Sequence, residues 1–195
     1  MALHNEIWFP SVIWSGVIPP QPNTELIDFI YEKRKTDPGV KISNFNGWQS
    51  SLIKYGENEQ IDHLVSVFDK EIAFCVEQTG LPDLEIQNLW LNVNPPGAYN
   101  HLHNHQGSVL SGVYYVQAEE GQGNIQFERN DGAEYFLPLN NKKQTYFNCT
   151  RATYKAKTNA LYVFPGWLKH SVEGNNSSTD RISISFNYGV KTDAP

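Results

Sequence analysis

From Leu84 onward the apolar residues of this chain recur at every second position, in short runs punctuated by Gly, Pro and Asn. Leu89, Leu91 and Val93 alternate with Trp90, Asn92 and Asn94, and Ile182, Ile184, Phe186 and Tyr188 alternate with Arg181, Ser183, Ser185 and Asn187. Successive side chains of an extended strand point to opposite faces, so a period of two predicts strands with one apolar and one polar face. Further strands are expected at 109–117, 124–128, 133–137, 144–149, 152–156, 159–164 and 181–189. So many short strands with no helix between them predict a mainly β sandwich or jelly roll rather than a parallel sheet. The aromatic content of 13% against a single Met agrees, because rings and β-branched residues suit a pleated surface.

The first part of the chain has a different pattern. Residues 7–21 break short apolar runs with Pro and Gly, which predicts an edge strand followed by a turn. From Asn23 a helical period places Leu26, Phe29 and Ile30 on one face and ends before Asp37-Pro38-Gly39. A second helix is expected from about Gln60 to Thr79, with Ile61, Leu64, Val65, Phe68, Ile72 and Cys75 at three- and four-residue spacing and Gly80 closing it. We therefore expect a single domain over 1–195, in which 1–83 supply a strand and two supporting helices and 84–190 form the β core. The segment 174–180 is the most polar and is expected to be an exposed hairpin connection.

A formal charge of −6 repels a phosphate backbone and argues against a nucleic-acid partner. No run approaches the roughly 18 apolar residues of a membrane span, and the first residues show no basic, apolar leader, so a cytoplasmic protein without a membrane partner is expected. Cys75 and Cys149 belong to no paired motif and read as two reduced, buried thiols.

Three of the six histidines fall within five residues, as His101, His103 and His105. A His-x-His pair on an extended segment presents two imidazoles to one metal ion, and imidazole suits Zn, Cu, Fe and Ni. Both His101 with His103 and His103 with His105 have this spacing. His170, after Phe164-Pro165-Gly166, offers a third ligand. The polar face Arg181, Ser183, Ser185 and Asn187 has one long cation beside small hydroxyls, which leaves room for a ligand whose carboxylate the planar guanidinium would grip through two parallel hydrogen bonds.

His103-x-His105, then Ser111-Gly112-Val113-Tyr114-Tyr115-Val116, then 164–172 with His170, then Arg181-Ile182-Ser183-Ile184-Ser185-Phe186, taken in this order, resemble the Fe(II)- and 2-oxoglutarate-dependent oxygenases of the prolyl-4-hydroxylase-like branch. The resemblance spans about 84–190. It implies a double-stranded β-helix whose mouth holds Fe(II) on a His-x-Asp pair and a distal His, while an Arg and a following Ser bind the far carboxylate of 2-oxoglutarate. By position, His103 and His105 take the place of that pair and His170 the distal place. Arg181, Ser183 and Tyr115 take the co-substrate place, with Asn92 and Asn94 facing the same cavity, and His101 lies behind the ligands. His105 stands where the family has a carboxylate, which makes the site more positive by one charge. A branch sharing His-x-His with the Ser-Gly-Val-Tyr-Tyr run is similar in this respect.

The implied activity is hydroxylation with Fe(II), 2-oxoglutarate and O2, with a prolyl or other peptidyl or amino-acid substrate by analogy. Two alternatives stand beside it: a cupin-like three-His metal enzyme that uses no 2-oxoglutarate, and a non-catalytic metal-binding module. Loops 40–58 and 129–145 are expected to shape the pocket, with Trp48, Tyr55 and Trp167 as rim aromatics. His170→Ala is expected to abolish metal binding without unfolding the chain.

Overall fold

A computed structural model of the protein describes residues 3–19, 23–138 and 140–192. The elements in chain order are β1 (Trp14–Val17), α1 (Asn23–Thr36), β2 (Asn44–Phe45), β3 (Trp48–Gln49), α2 (Glu59–Thr79), β4 (Leu84–Asn94), β5 (Tyr99–His103), β6 (Leu110–Gln117), β7 (Ile125–Glu128), β8 (Arg151–Tyr154), β9 (Ala160–Pro165), β10 (His170–Val172) and β11 (Arg181–Val190). Two antiparallel sheets result, one ordered β1-β9-β6-β11-β4-β3 and the other β2-β5-β10-β7-β8. This is the jelly-roll arrangement that the alternation predicts.

The helix α2 begins where Asn58 accepts hydrogen bonds from the N–H groups of Gln60 and Ile61, a cap worth about 1 kcal/mol, and stops at Gly80 in the left-handed conformation. Its buried stripe of Ile61, Leu64, Phe68, Ile72 and Cys75 lies on the outer face of the larger sheet. Phe68 stacks on Phe186 of β11 with ring centroids 4.4 Å apart, and the Tyr188 hydroxyl donates to Asp69 at 2.6 Å. Leu26 and Ile30 of α1 join the same core.

The two faces of the central strands thus divide. Ile182, Ile184, Phe186 and Tyr188, with Leu89, Leu91 and Val93 of β4, meet the helices, and the polar face turns into the sandwich. Because the helices cover the outside, the polar face of β11 is spared the solvent exposure usual for an antiparallel strand. Inside the sandwich a second cluster, with Val113, Tyr115, Ile125, Phe127, Phe164 and Leu168 among it, fills part of the space, and the rest is a cavity of about 460 Å³.

Four expectations need correction. Residues 133–137 form a 3-10 turn over Ala133–Tyr135, because the Asp131 carboxylate accepts the Ala133 N–H at 3.0 Å and Gly132 takes a positive φ of 74°. Residues 144–149 form a turn closed by Asn148 Oδ1 on the Thr145 N–H at 2.8 Å, with Tyr146 and Phe147 both exposed, so no face packs as a strand would require. The loop 174–180 is tied down: Asn175 is buried, its Nδ2 donating to Asn94 O at 2.9 Å and Thr179 O at 2.7 Å. Cys75 is buried, but Cys149 is only half-buried. Pro20 and Gln21 of the first expected turn lie outside the described residues. Among the described residues no helix is long and apolar enough to cross a membrane.

Candidate metal centre and its cavity

His103 ends β5 and pairs in register with His170, the first residue of β10, so the two imidazoles lie side by side with ring centroids 4.3 Å apart. Four residues of β5, from His103 back to Asn100, oppose three of β10, from His170 to Val172. That extra residue is a bulge, which reverses the alternation before His103 and turns His101 outward, where it is exposed against Tyr99 and Phe45. Beyond the strand, the His105 N–H donates to Gly166 O at 2.8 Å and brings its ring to 5.3 Å from His103 and 5.0 Å from His170. The ligand atoms of His103, His105 and His170 all lie within 4.8 Å of one another.

Each ring has its Nδ1 on an acceptor. His103 Nδ1 meets its neighbour's carbonyl, His101 O, at 2.7 Å, and His170 Nδ1 meets Leu168 O at 3.0 Å. His105 Nδ1 meets Asn187 Oδ1, which also accepts the Ser111 hydroxyl at 2.7 Å, while Asn187 Nδ2 donates to Asn88 Oδ1 at 2.7 Å. A carbonyl oxygen only accepts, so the proton of each neutral ring sits on Nδ1 and Nε2 keeps its lone pair. Burial lowers the pKa of all three, that of His170 to about 3 with the neighbouring His103 adding to the effect. Three unprotonated nitrogens converge, a donor set that fits a divalent transition-metal ion. The nearest downstream acids are engaged elsewhere: Glu128 pairs with Arg151 and Asp131 with Arg129, each at 2.6 Å.

Arg181 also lines this cavity. It is 1% exposed, and its Nη1 donates to the carbonyls of Gln122, Gly123 and Glu173. Gly123 is required here, since it holds a φ of 86° and a Cβ would stand 2.8 Å from that nitrogen. Among the described residues no carboxylate lies within ion-pair distance of Arg181. Burial lowers its pKa while the more distant Glu173 carboxylate works the other way, a guanidinium stays charged at any working pH, and the charge is buried without a direct ion pair. Tyr115, Ser183 and Asn92 are cross-strand neighbours on β6, β11 and β4 and line the same wall. Burial pushes the Tyr115 hydroxyl up to about 12, so it is a neutral donor. Asn92 Nδ2 donates to Ser185 Oγ at 3.1 Å.

Other expectations fare differently. Trp48 is buried on the helix side, its Nε1 donating to Asp37 O at 3.0 Å, while Tyr55 and Trp167 are exposed and do not line the cavity. Loop 40–58 contributes Ile42, Ser43, Gln49 and Leu52 to the lining, whereas no described residue of 129–145 does. His170 is 4% exposed and packs on Phe164 with centroids 4.6 Å apart, so it is not the loosely held mouth residue for which truncation would be harmless. The support of His105 by Asn187 and Ser111 and the wall formed by Trp90 are not apparent from motifs. Their only sequence signal is the alternation that places Asn187 with Arg181 and Trp90 with Asn92.

A family model described as "Putative 2OG-Fe(II) oxygenase", where 2OG is 2-oxoglutarate, matches residues 88–187. Solved structures share the fold at low identity. A prolyl-4-hydroxylase from Pseudomonas putida superposes with a TM-score of 0.67 at 15% identity over 93% of this chain and 94% of that one. The epimerase SnoN of nogalamycin biosynthesis, in complex with Fe3+, alpha ketoglutarate and nogalamycin RO, gives 0.69 at 13% identity over 92% and 79%. A prolyl hydroxylase from Trichoplax adhaerens, in complex with a hypoxia inducible factor peptide fragment, gives 0.66 at 14% identity over 91% and 82%. No curated protein matches the chain in sequence. These likenesses establish the double-stranded β-helix. The family match, which covers just over half of the chain and runs from within β4 to within β11, establishes that the protein belongs to the 2OG-Fe(II) oxygenase family, whose chemistry uses Fe(II), 2-oxoglutarate and O2.

Proposed function

We propose that this oxygenase is a hydroxylase in which His103, His105 and His170 hold the ferrous ion and Arg181, with Ser183, Tyr115 and Asn92, holds 2-oxoglutarate by its far carboxylate. The carrying observation is that three neutral imidazoles and one buried guanidinium, with no carboxylate of the described residues within ion-pair distance, line the same cavity. Bound there, Fe(II) supplies the redox chemistry by which O2 and 2-oxoglutarate become succinate and CO2 while one oxygen atom enters a substrate C–H bond.

The chain's own part is positional and electrostatic. The Nδ1 hydrogen bonds of the three histidines fix their tautomers, so no proton must leave before they ligate. The imidazoles bring no negative charge, so the site keeps the ion's full double charge and favours a dianionic co-substrate. Arg181 completes its electrostatics with one carboxylate of that dianion, and Tyr115 and Ser183 offer hydroxyls beside it. Phe164, Phe127 and Val113 exclude water from the back of the cavity. A three-His centre that used no 2-oxoglutarate would leave Arg181 without a task.

A prolyl or other peptidyl or amino-acid substrate is supported by the fold shared with prolyl hydroxylases, one of which is bound to a peptide. Two free cysteines support a reducing, cytoplasmic setting. Metal content after dialysis against Fe(II), measured beside 2-oxoglutarate affinity, tests the reading. Wild type is expected to bind both, His170→Gln to lose the metal, and Arg181→Ala to keep the metal and lose the co-substrate. Metal binding with no 2-oxoglutarate affinity in the wild type would overturn it.

A further inference from the structure

The part of the cavity that the metal and the dicarboxylate do not need is lined by carboxamides. Gln49, Gln87, Asn88, Asn94, Asn100 and Asn104 line it, and no Asp, Glu or Lys is among the lining residues. Some of these amides are already used: Asn88 accepts from Asn187, and Asn100 donates to Ser43. Gln49 and Asn94 are not. They are 7% and 3% exposed, neither side chain makes a hydrogen bond with a described residue, and neither amide is among the fully buried unpaired polar atoms, so both amides are open to the cavity.

Gln49 stands apart from the co-substrate clamp, whereas Asn94 is the cross-strand partner of Arg181 and is distinguished from it by the direction of its amide. Gln49 on the edge strand β3 pairs with Asn92, which pairs with Ser183, so two strand spacings, roughly 10 Å, lie between Gln49 and β11. That is too far for Gln49 to share a carboxylate with Arg181. Asn94 lies against Gly47, where a Cβ would come within 2.7 Å of its Nδ2, so its amide reaches toward the same β3 edge. Between this edge and the histidines stands Trp90, on the same face of β4 as Asn92, with its ring 5.6 Å from that of His105.

We infer that this half of the cavity is a substrate subsite selective for an uncharged, amide-bearing group, read by Gln49 and Asn94 and laid along Trp90. A carboxamide offers a donor and an acceptor side by side, which complements the N–H and C=O that one residue of an extended chain, or one primary amide, presents on a single edge. A carboxylate or ammonium entering the subsite would lose its hydration with no opposite charge among the lining residues other than Arg181, which the co-substrate occupies. The inference rests on the proposed co-substrate site.

The test uses the full chain loaded with Zn(II) and 2-oxoglutarate, and saturation-transfer NMR with the side-chain analogues of glutamine, glutamate and lysine (propionamide, propionate and butylammonium), plus methyl glucoside as a neutral polyol. The glutamine probe is expected to bind about tenfold more tightly than the other three, and Gln49→Ala to weaken it about tenfold, the loss of one hydrogen-bonded group. Gln49→Glu is expected to transfer the preference to the lysine probe, with 2-oxoglutarate affinity unchanged in both variants. Equal binding of a charged probe or of the glucoside, no binding of the glutamine probe, or indifference to both substitutions overturns the inference while the co-substrate site stands. Failure of 2-oxoglutarate to bind the wild type overturns both. A longer N-acetyl peptide carrying glutamine, run in parallel, separates sources: tighter binding than the single amide identifies a peptide, and equal binding a free amide.

Discussion

The two faces of β11 are built from the same ten residues and do opposite work. On one face Ile182, Ile184, Phe186 and Tyr188 are fully buried against the helices and have their partners within the chain. On the other, Arg181 and Ser183 are nearly as buried, yet no carboxylate of the described residues lies within ion-pair distance of the guanidinium and the cavity stands before it. Burial of apolar area, about 1.5–3 kcal/mol per large side chain, is finished on the first face. The second face is electrostatically unfinished, and stability spent on a polar interior is the mark of a binding site. The comparison teaches that stability and function can be altered separately by mutating alternate residues of one strand.

The largest expected effect is on the apolar face. Phe186→Ala removes the ring stacked on Phe68 and should cost about 3–5 kcal/mol by urea denaturation; a cost below about 1 kcal/mol would show that the helices do not anchor the sheet. Arg181→Met should lower 2-oxoglutarate affinity by roughly 100-fold in calorimetric titration, the worth of paired charge-assisted hydrogen bonds. Its folding cost should stay far smaller than that of Phe186→Ala, because relief of an unpaired buried charge offsets the lost contacts to three carbonyls. If both substitutions destabilised alike, the division between the faces would be lost.

Asn187→Ala sharpens the comparison further along the polar face. Without its carbonyl, His105 loses the acceptor that holds its proton on Nδ1, and Co(II) affinity should fall about 10- to 100-fold. Nitrogen-15 NMR of the metal-free protein should show His105 changing from one tautomer to a mixture, which a merely structural role would not produce. The smallest effect is expected at Asp37, beside the cavity loop. Although burial alone would raise its pKa, the N–H groups of Gly39 and Ser51 hold its carboxyl below the usual range. A depressed folded-state pKa contributes stability above the unfolded value, near 3.9, that is lost as pH falls through the folded value. Asp37→Asn should therefore lower stability slightly at neutral pH, flatten the acid limb of the stability profile, and converge with wild type as pH falls below the folded value.

Much of this division was legible in the sequence because the alternation of β4 and β11 is strict. Leu89, Leu91 and Val93 against Trp90, Asn92 and Asn94 is what the structure shows, and the two helical stripes are equally direct. The helices end up outside the sheet, which periodicity cannot say, since it does not name the partner of a face. The bulge that turns His101 away is set by pairing with β10, a non-local contact, so spacing alone left two His pairs open. The failures at 133–137 and 144–149 share a cause. Apolar residues such as Phe136 and Phe147 imitate strand composition, but Asp131 and Asn148 offer the backbone local turns instead. Asn175 misled in the other direction, because a side chain that bonds backbone makes a polar loop rigid and buried.

The central claim is that one cavity binds a ferrous ion and a dicarboxylic 2-oxo acid together. Anaerobic addition of Fe(II) and 2-oxoglutarate, followed by visible absorption, tests it most directly. A metal-to-ligand charge-transfer band should appear only when both are present, vanish in His170→Gln, and require much higher 2-oxoglutarate in Arg181→Met. A folded protein that binds Fe(II) yet shows no such band at saturating 2-oxoglutarate would contradict the account.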